Sequence, residues 1–403
     1  MSSLCAQTTT CPPPGAVLIA GGGTGGHLFP GIAIAEELRA RAPACRLLFV
    51  SRGNDFERTA LARAGFPLAT IAVEGLKGRG RFNQIRSLLR LPAALLQSAA
   101  LIGSDRPEIV IGLGSYAAGP VVLAAWLRRV PIALCEQNTL PGVTNRSLAR
   151  FADRIYTSFE ATEGGFDPRK VLWTGNPLRR EIVQAAERPA EGPRAGSGER
   201  LSVLVLGGSQ GAHALNLAIA RALPLLAPRE RFEFVHQTGA ADEAALRAAY
   251  YAAGVAGRVQ AFFEDMAARY LESDLVVCRA GATTVAEITA LGKPALFIPF
   301  PHAADDHPRG NAQRLVAAAA AEMILEPELS GERLAERLGF FAARPEALAG
   351  LASRAAALGR PDAARRIVDD LSVLAAARAA RQRAGRAAGR TAERPTGQGR
   401  HVS

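Results

Sequence analysis

Residues 21–38 of the chain read GGGTGGHLFPGIAIAEEL, and this stretch decides the fold. It follows the apolar run 16–20, which is typical of a buried parallel strand, and its second half has the apolar spacing of a helix. A strand that breaks into glycines before a helix offers backbone N–H groups at the positive end of the helix dipole. The stretch therefore predicts a site for phosphate or another anion. It contains G-x-G-x-x-G without the lysine of a P-loop, and it adds the imidazole of His27.

The same unit recurs in the second half of the chain. Residues 201–206 predict a strand, residues 207–212 (GGSQGA) a glycine turn, and the apolar residues from Leu215 onward a helix. Further apolar strands, including one over 259–263, alternate with helical segments in both halves. This alternation predicts an α/β protein with two Rossmann-like, doubly wound domains that face each other across a cleft.

The domain boundaries follow from changes in composition. Residues 185–200 are poor in large apolar groups and rich in Pro, Gly and charge, which is typical of a linker. The expected order is a flexible tail (1–14), a first Rossmann-like domain (15–184), the linker (185–200), a second Rossmann-like domain (201–360), a C-terminal helix that could pack back on the first domain (361–380) and a disordered basic tail (381–403).

The net charge of +11 is unevenly distributed in this 403-residue chain. From Arg378 to Arg400 there are seven arginines and one acid, so more than half of the net charge lies in the expected tail, and no nucleic-acid partner is expected. The five cysteines are scattered without C-x-x-C spacing, which argues against zinc and disulfide frameworks and favours a reducing cytosol. Neither a signal peptide nor a membrane-spanning run is visible.

A basic and apolar stretch follows residue 78. Its arginines interleave with large apolar residues, and they are Arg79, Arg81, Arg86 and Arg90. Two interpretations stay open: a core helix with a solvated arginine face, or a patch that lies on an anionic membrane surface.

The two glycine turns favour a nucleotide-sugar transferase over a dehydrogenase. A nicotinamide site needs an acid at the end of the second strand, but that strand ends at Ser51 and Arg52, although Arg52 could suit a 2′-phosphate. A dehydrogenase also has no need for anion sites on two domains, whereas a nucleotide-sugar transferase needs one cleft for a donor and one for an acceptor. The polar residues 136–138 end a predicted strand, at the edge where such sheets bind ligands.

Six motifs in order carry a family resemblance over about residues 16–320: GGTGGHLFPGIA, GLGSYAAGP, EQN, GNPLR, GGSQGAHALN and CRAGATTVAE. Together they resemble the MurG family of bacterial glycosyltransferases. The resemblance implies a glycosyltransferase B fold, and transfer of N-acetylglucosamine (GlcNAc) from UDP-GlcNAc to the 4-OH of N-acetylmuramic acid (MurNAc) in undecaprenyl-pyrophosphoryl-MurNAc-pentapeptide (lipid I). It also implies that the first domain (15–184) faces the acceptor and the membrane and that the second domain (201–360) binds the UDP-sugar. The product would be lipid II for peptidoglycan, and hence for cell shape and division. It also implies a peripheral protein on the cytoplasmic face of the plasma membrane, without a cofactor.

Site residues are carried over from the same resemblance. Contacts to substrate diphosphate are implied for Thr24, Gly25 and Gly26. Donor contacts are implied for Asn138, Arg179 and Ser209, and a backbone group of Phe263 would contact uracil. The loop and helix start under the nucleotide would comprise Ala282, Thr283, Thr284, Val285, Ala286 and Glu287, with Glu287 accepting from the ribose hydroxyls. The family commonly has a sugar-contacting glutamine where this chain has Pro308, so that contact is missing or moves to Asn311, Gln313 or His307.

Inversion at the anomeric carbon requires a base on the acceptor hydroxyl. His27 is the first candidate because an imidazole with a pKa of about 6.5 suits proton transfer near neutrality, and its alternative role is to shape the loop or hold a phosphate. Glu136 is the second candidate, with a structural role at the strand end as its alternative. Helix N–H groups and Arg179 can neutralise the diphosphate without a metal, so Asp305 and Asp306 are interpreted as solvated acids.

Other functions stay open beside this one. Another transferase of the same fold or a UDP-GlcNAc epimerase would have the same two-domain body. A non-catalytic protein that binds a nucleotide-sugar or a membrane would bind UDP without turnover.

Overall fold

The structure is a computed structural model, and it describes residues 11–73, 81–160, 162, 165–188, 200–208, 211–301 and 307–392. Within it, only the backbone is described for residues 81–90, 382 and 385–392. No helix in these ranges is both long and apolar enough to cross a membrane.

The first domain is built on a sheet of seven parallel strands. They are β1 (Ala16–Ala20), β2 (Arg46–Ser51), β3 (Leu68–Thr70), β4 (Ile109–Gly112), β5 (Ile132–Glu136), β6 (Arg154–Thr157) and β7 (Val171–Trp173). Their order is β3-β2-β1-β4-β5-β6-β7, so the winding reverses between β1 and β4. Strands β1, β4 and β5 are buried along their whole length, as expected for parallel strands covered on both faces.

The helices that cover this sheet come between its strands. They are α1 (Gly25–Arg41), α2 (Asp55–Ala64), α3 (Arg81–Asp105), α4 (Ala118–Leu127) and α5 (Val143–Leu148), whereas α6 (Arg180–Glu187), after the last strand, packs on the other domain. The core that they form includes Val17, Leu28 and Ile111, all fully buried.

The second domain repeats the plan with six parallel strands. They are β8 (Leu201–Leu206), β9 (Phe232–Gln237), β10 (Ala256–Gln260), β11 (Leu275–Cys278), β12 (Ala295–Phe297) and β13 (Glu322–Met323), in the order β10-β9-β8-β11-β12-β13. Its helices are α7 (His213–Ala222), α8 (Glu243–Ala253), α9 (Met266–Glu272), α10 (Ala282–Ala290), α11 (His307–Ala317), α12 (Gly331–Ala343) and α13 (Pro345–Leu358), and α14 (Ala363–Ala392) ends the described chain. The predicted pair of doubly wound α/β domains is confirmed.

One predicted strand is displaced. A strand was predicted over 259–263, but β10 covers Ala256–Gln260, and residues 261–263 lie in the loop that follows. The apolar pair Phe262 and Phe263 produced the wrong register: Phe263 is buried from within this loop, while Phe262 is exposed.

The chain crosses between the domains twice: the first crossing comes before the expected linker, and the second leads into the C-terminal helix, which packs on the first domain as the sequence suggested. Leu178 and Ile182 pack in the core of the second domain, so the first domain ends before residue 178 and α6 already belongs to the other body. At the second crossing the chain returns to the first domain, where Ile367 and Leu371 of α14 pack into the core beside α1. The crossings touch at Gly175, which has φ +87° and where a Cβ would lie 2.4 Å from Cβ of Arg360.

Polar contacts hold α14 on the first domain. Asp370 accepts hydrogen bonds from the hydroxyl of Tyr156 at 2.9 Å and from Nε of Arg154 at 3.0 Å. The helix then continues to Ala392, whereas disorder was expected from residue 381. The residues of this extension are mostly alanine and arginine, which favour helix strongly, and that explains the difference. Residues 393–403 lie outside the described ranges.

Candidate active site

The starts of α1 and α10 meet where the two domains face each other. Thr283, in the first turn of α10, directs its hydroxyl at the carbonyl oxygen of Gly26 in the first turn of α1, at 3.5 Å. That oxygen is available because Pro30, four residues on, has no N–H to donate to it. Both helices follow carboxyl ends of parallel strands, so their positive ends converge on one region.

The glycine loop before α1 is fixed from beneath. The N–H of Gly22 donates to Oγ of Ser115 at 3.0 Å, and that of Gly23 donates to Oε1 of Glu57 at 2.6 Å. Gly22 and Gly23 have positive φ, and a Cβ at Gly22 would lie 2.4 Å from Oε1 of Glu57. These glycine N–H groups are therefore committed within the domain, so the expected open cradle is restricted to the first turn of α1. There Gly25 and Gly26 have N–H groups without a helical acceptor.

His27 lies in that first turn and is half-buried. Its Nδ1 is 3.1 Å from Oε1 of Gln137, which lies in the loop after β5. An amide oxygen can only accept, so this contact is a hydrogen bond when Nδ1 carries the hydrogen, and Nε2 is then the ring nitrogen that can accept a proton. The arrangement is that of an oriented imidazole with one basic nitrogen, which a proton acceptor requires.

Glu136, the other candidate base, is buried at the end of β5. Its Oε1 accepts from the N–H of Asn138 at 3.0 Å, and its Oε2 accepts from the N–H of Gly142 at 3.1 Å and from Nδ2 of Asn145 at 2.8 Å. A carboxylate so occupied orders the loop 137–142, so the geometry favours the structural alternative for Glu136 over a role as base.

Arg179 and Glu287 pair with each other across 108 residues of chain. Nη2 of Arg179 lies 2.8 Å from Oε1 of Glu287, whose other oxygen accepts from the hydroxyl of Tyr270 at 2.9 Å. Burial alone would lower the pKa of Arg179, but the charge and the hydrogen bond of Glu287 outweigh it and raise that pKa. The guanidinium also lies 5.2 Å above the ring of Phe29 on α1. The resemblance assigned Arg179 to diphosphate and Glu287 to ribose, and the structure brings the two residues together beside α1.

Most of the other residues expected to bind the donor lie in the first two turns of α10. Ala282 and Val285 are buried, whereas Thr283, Thr284 and Ala286 are half-buried, and the N–H of Val285 closes the first turn on Gly281. The backbone N–H of Phe263, a residue expected to contact uracil, donates to Oε1 of Gln237 at 3.0 Å. Ser209 lies outside the described residues, as do Asp305, Asp306 and Arg79.

The start of α11 explains how Pro308 is accommodated. Pro308 is the second residue of that helix, where its missing N–H costs nothing. Of the residues expected to replace the glutamine contact, Asn311 is fully buried and Gln313 is exposed, while His307 begins the helix. Within the described residues, no group of three or more His, Cys, Asp and Glu could hold a metal ion.

Sequence reasoning missed several residues that position the site. Gln137 orients His27, Glu57 anchors the glycine loop, and Tyr270 supports Glu287. Gln137 had a visible signal, since it stands in the polar triplet that ends a predicted strand. The other two partners come from distant segments and have no local signal.

Comparisons with known proteins agree along most of the chain. The glycosyltransferase family 28 N-terminal domain matches residues 17–157, and the family 28 C-terminal domain matches residues 202–367. A curated relative from Pelobacter propionicus is 46% identical over 372 residues, 88% of this chain and 98% of the relative. One from an Anaeromyxobacter species is 48% identical over 355 residues, 88% of this chain and 92% of the relative. Both are named UDP-N-acetylglucosamine–N-acetylmuramyl-(pentapeptide) pyrophosphoryl-undecaprenol N-acetylglucosamine transferase.

Solved structures share the architecture. The crystal structure of Acinetobacter baumannii MurG matches with a TM-score of 0.72 and 30% identity, covering 89% of this chain and 99% of that one. UDP-GlcNAc 2-epimerase from Neisseria meningitidis matches with a TM-score of 0.62 at 14% identity, covering 89% of this chain and 98% of that one, which shows a common fold alone.

Proposed function

The chain belongs to the MurG family within glycosyltransferase family 28, and we propose from this premise that it transfers GlcNAc from UDP-GlcNAc to lipid I, giving lipid II in peptidoglycan synthesis. The observation that carries the proposal is the meeting of two helix starts, α1 with His27 on one domain and α10 on the other. A transfer between two bound substrates needs such a junction.

The donor is proposed to bind against the second domain. The first-turn N–H groups of α10 and its dipole suit the diphosphate of UDP-GlcNAc, with Thr283 and Thr284 as further hydrogen-bond donors. Arg179 lies beside this turn, held by Glu287, and supplies a fixed positive charge for the departing UDP. Asn138 and Ser209 remain proposed donor contacts, and Phe263 the proposed reader of uracil.

His27 is the proposed base. Its Nδ1–H is committed to Gln137, so Nε2 can take the proton from the acceptor hydroxyl as the oxygen attacks the anomeric carbon and the bond to UDP breaks. The contacts from Thr24, Gly25 and Gly26 at the same helix start are proposed to orient the acceptor or its diphosphate. Glu136 orders the neighbouring loop.

Peripheral attachment to the cytoplasmic face of an anionic membrane completes the proposal. On α3 and α4, which pack together, exposed apolar side chains include Leu96 (72% exposed) and Trp126 (49%), and exposed Arg128 and Arg129 follow α4. An apolar surface beside arginines is typical of proteins that lie on anionic membranes. The predicted patch residues Arg81, Arg86 and Arg90 begin the same α3.

Acceptor dependence tests the function. With labelled UDP-GlcNAc and lipid I, the proposal expects GlcNAc on the lipid and no conversion of UDP-GlcNAc when lipid I is left out. An epimerase of the same fold would convert UDP-GlcNAc without an acceptor, and a binding protein would be protected against heat by UDP-GlcNAc without turnover.

A further inference from the structure

We infer that Asn311 is a positioning residue: from the second domain it fixes the loop that carries Gln137, and through Gln137 it orients His27. This rests on the proposed function, in which His27 is the base.

Asn311 joins three segments from both domains. It is fully buried on α11. Its Oδ1 accepts from the N–H and the hydroxyl of Thr139, at 3.1 and 3.3 Å. Its Nδ2 donates to Oδ1 of Asn138 at 3.2 Å and to the carbonyl of Ala280, just before α10, at 3.3 Å. A single side-chain amide thus uses both hydrogens and both lone pairs on these contacts.

The loop after β5 is held at both ends. From the first domain, Glu136 accepts hydrogen bonds from the N–H groups of Asn138 and Gly142. From the second domain, Asn311 forms hydrogen bonds with Asn138 and Thr139. Gln137, the partner of His27, stands between these anchors. Without the Asn311 amide, the N–H of Thr139 would be buried and unpaired, a cost that a shift of the loop would relieve. The same shift would release His27.

Asn311 also connects the loop beside His27 to the segment before α10. Ala280 precedes the helix start proposed for the donor diphosphate, so one residue ties that segment to the segment that orients the base. The orientation of His27 therefore depends on contact between the two domains. A displacement of about 1 Å at a reacting group can lower the rate about a hundredfold.

Another interdomain contact offers a matched control. Arg63 on α2 pairs with Glu264 at 3.0 Å, and both side chains are largely exposed. This pair joins the same two domains but touches neither the loop 137–139 nor α10, so Arg63→Ala removes an interdomain contact without touching the proposed linkage.

A double-mutant cycle tests the inference on the full chain. Asn311→Ala and Gln137→Leu are each expected to lower kcat by about tenfold or more, with UDP affinity changed far less than kcat. Combined, they are expected to lower kcat no further than the worse single variant, because both act on His27. Arg63→Ala is expected to keep wild-type kcat. Asn311→Ser serves in the cycle if Asn311→Ala does not fold.

A second readout does not need turnover. In ¹⁵N spectra of the imidazoles, His27 is expected as the Nδ1–H tautomer in the wild type and as a mixture in Asn311→Ala and Gln137→Leu. Losses in kcat that multiply in the double variant, or an unchanged His27 signal, would overturn the inference. A wild-type protein that transfers no GlcNAc would instead overturn the proposed function.

Discussion

Nδ1 of His27 and Oε1 of Gln137 lie 3.1 Å apart, although 110 residues of sequence separate them. The contact joins the first turn of α1 to the end of β5, so the sheet itself sets the direction of the imidazole. In the proposed function this contact orients the base, and a base oriented by a second group is a common catalytic arrangement.

Gln137→Glu should change the pH dependence of the reaction. A carboxylate in contact with Nδ1 stabilises the imidazolium, so the pKa of His27 should rise and the limb of the kcat profile that reports the base should move to higher pH. The measurement is kcat against pH for the variant and the wild type. A limb at the same pH in both would show that Gln137 does not act on the ionisation of the base.

Arg179→Ala should destabilise the second domain and weaken UDP binding. The change leaves the buried carboxylate of Glu287 without its cation, which typically costs about 3–5 kcal/mol of the free energy of unfolding. Arg63→Ala, at the exposed pair with Glu264, should cost less than about 1 kcal/mol. Urea unfolding and UDP titration measure both effects. Equal losses of unfolding free energy in Arg179→Ala and Arg63→Ala would contradict the difference expected between the buried and the exposed ion pair.

His236→Gln should flatten the loss of stability in mild acid. Burial lowers the pKa of His236 to about 3, while an unfolded histidine titrates near 6.5. The stability that the protein gains from keeping His236 buried and uncharged is therefore fully present above pH 6.5. It is lost as the pH falls toward 3, by up to about 1.4 kcal/mol of unfolding free energy per pH unit. Urea unfolding from pH 7 to pH 4.5 compares the slopes, with His213→Gln as the exposed control. A slope that His236→Gln leaves unchanged would refute this assignment.

Substituting Arg79, Arg81, Arg86 and Arg90 with Ser should weaken binding to anionic vesicles. Wild-type binding should fall with salt, because surface charges are screened within about 10 Å at 0.1 M. Trp126→Ala should weaken binding in a way that salt affects less. Tyr251→Ala, at a fully exposed aromatic residue of the second domain, is the control. Cosedimentation that the arginine substitutions leave intact would support the solvated-face alternative for α3.

The fold was predictable because its signals are local. Apolar runs, glycine turns and helical spacing specify each β-α unit, and two such series predict two doubly wound domains. Side-chain contacts between distant segments have no such local signal. Asn311 contacts Asn138 across 173 residues of sequence, and Arg179 contacts Glu287 across 108. The membership of α6 in the second domain was missed for the same reason, since Ile182 could face either core in an amphipathic helix.

The site was predictable in part through residue chemistry. An imidazole at a glycine turn makes His27 a candidate from the sequence alone. Its partner Gln137 resembles other polar residues at strand ends, and only the tertiary contact distinguishes it. Glu136 shows the converse case. A carboxylate at a predicted strand end is a candidate base by residue type, and only the hydrogen-bond donors around it reveal a residue that orders a loop.

The most direct test of the central claim is a mass-spectrometric transfer assay of the wild type and His27→Ala in parallel, with UDP-GlcNAc and lipid I at matched UDP occupancy. We expect the wild type to add one GlcNAc to lipid I and release UDP, and His27→Ala to bind UDP normally but lose most of the rate. Transfer by His27→Ala at the wild-type rate, or no lipid product from the wild type, would contradict it.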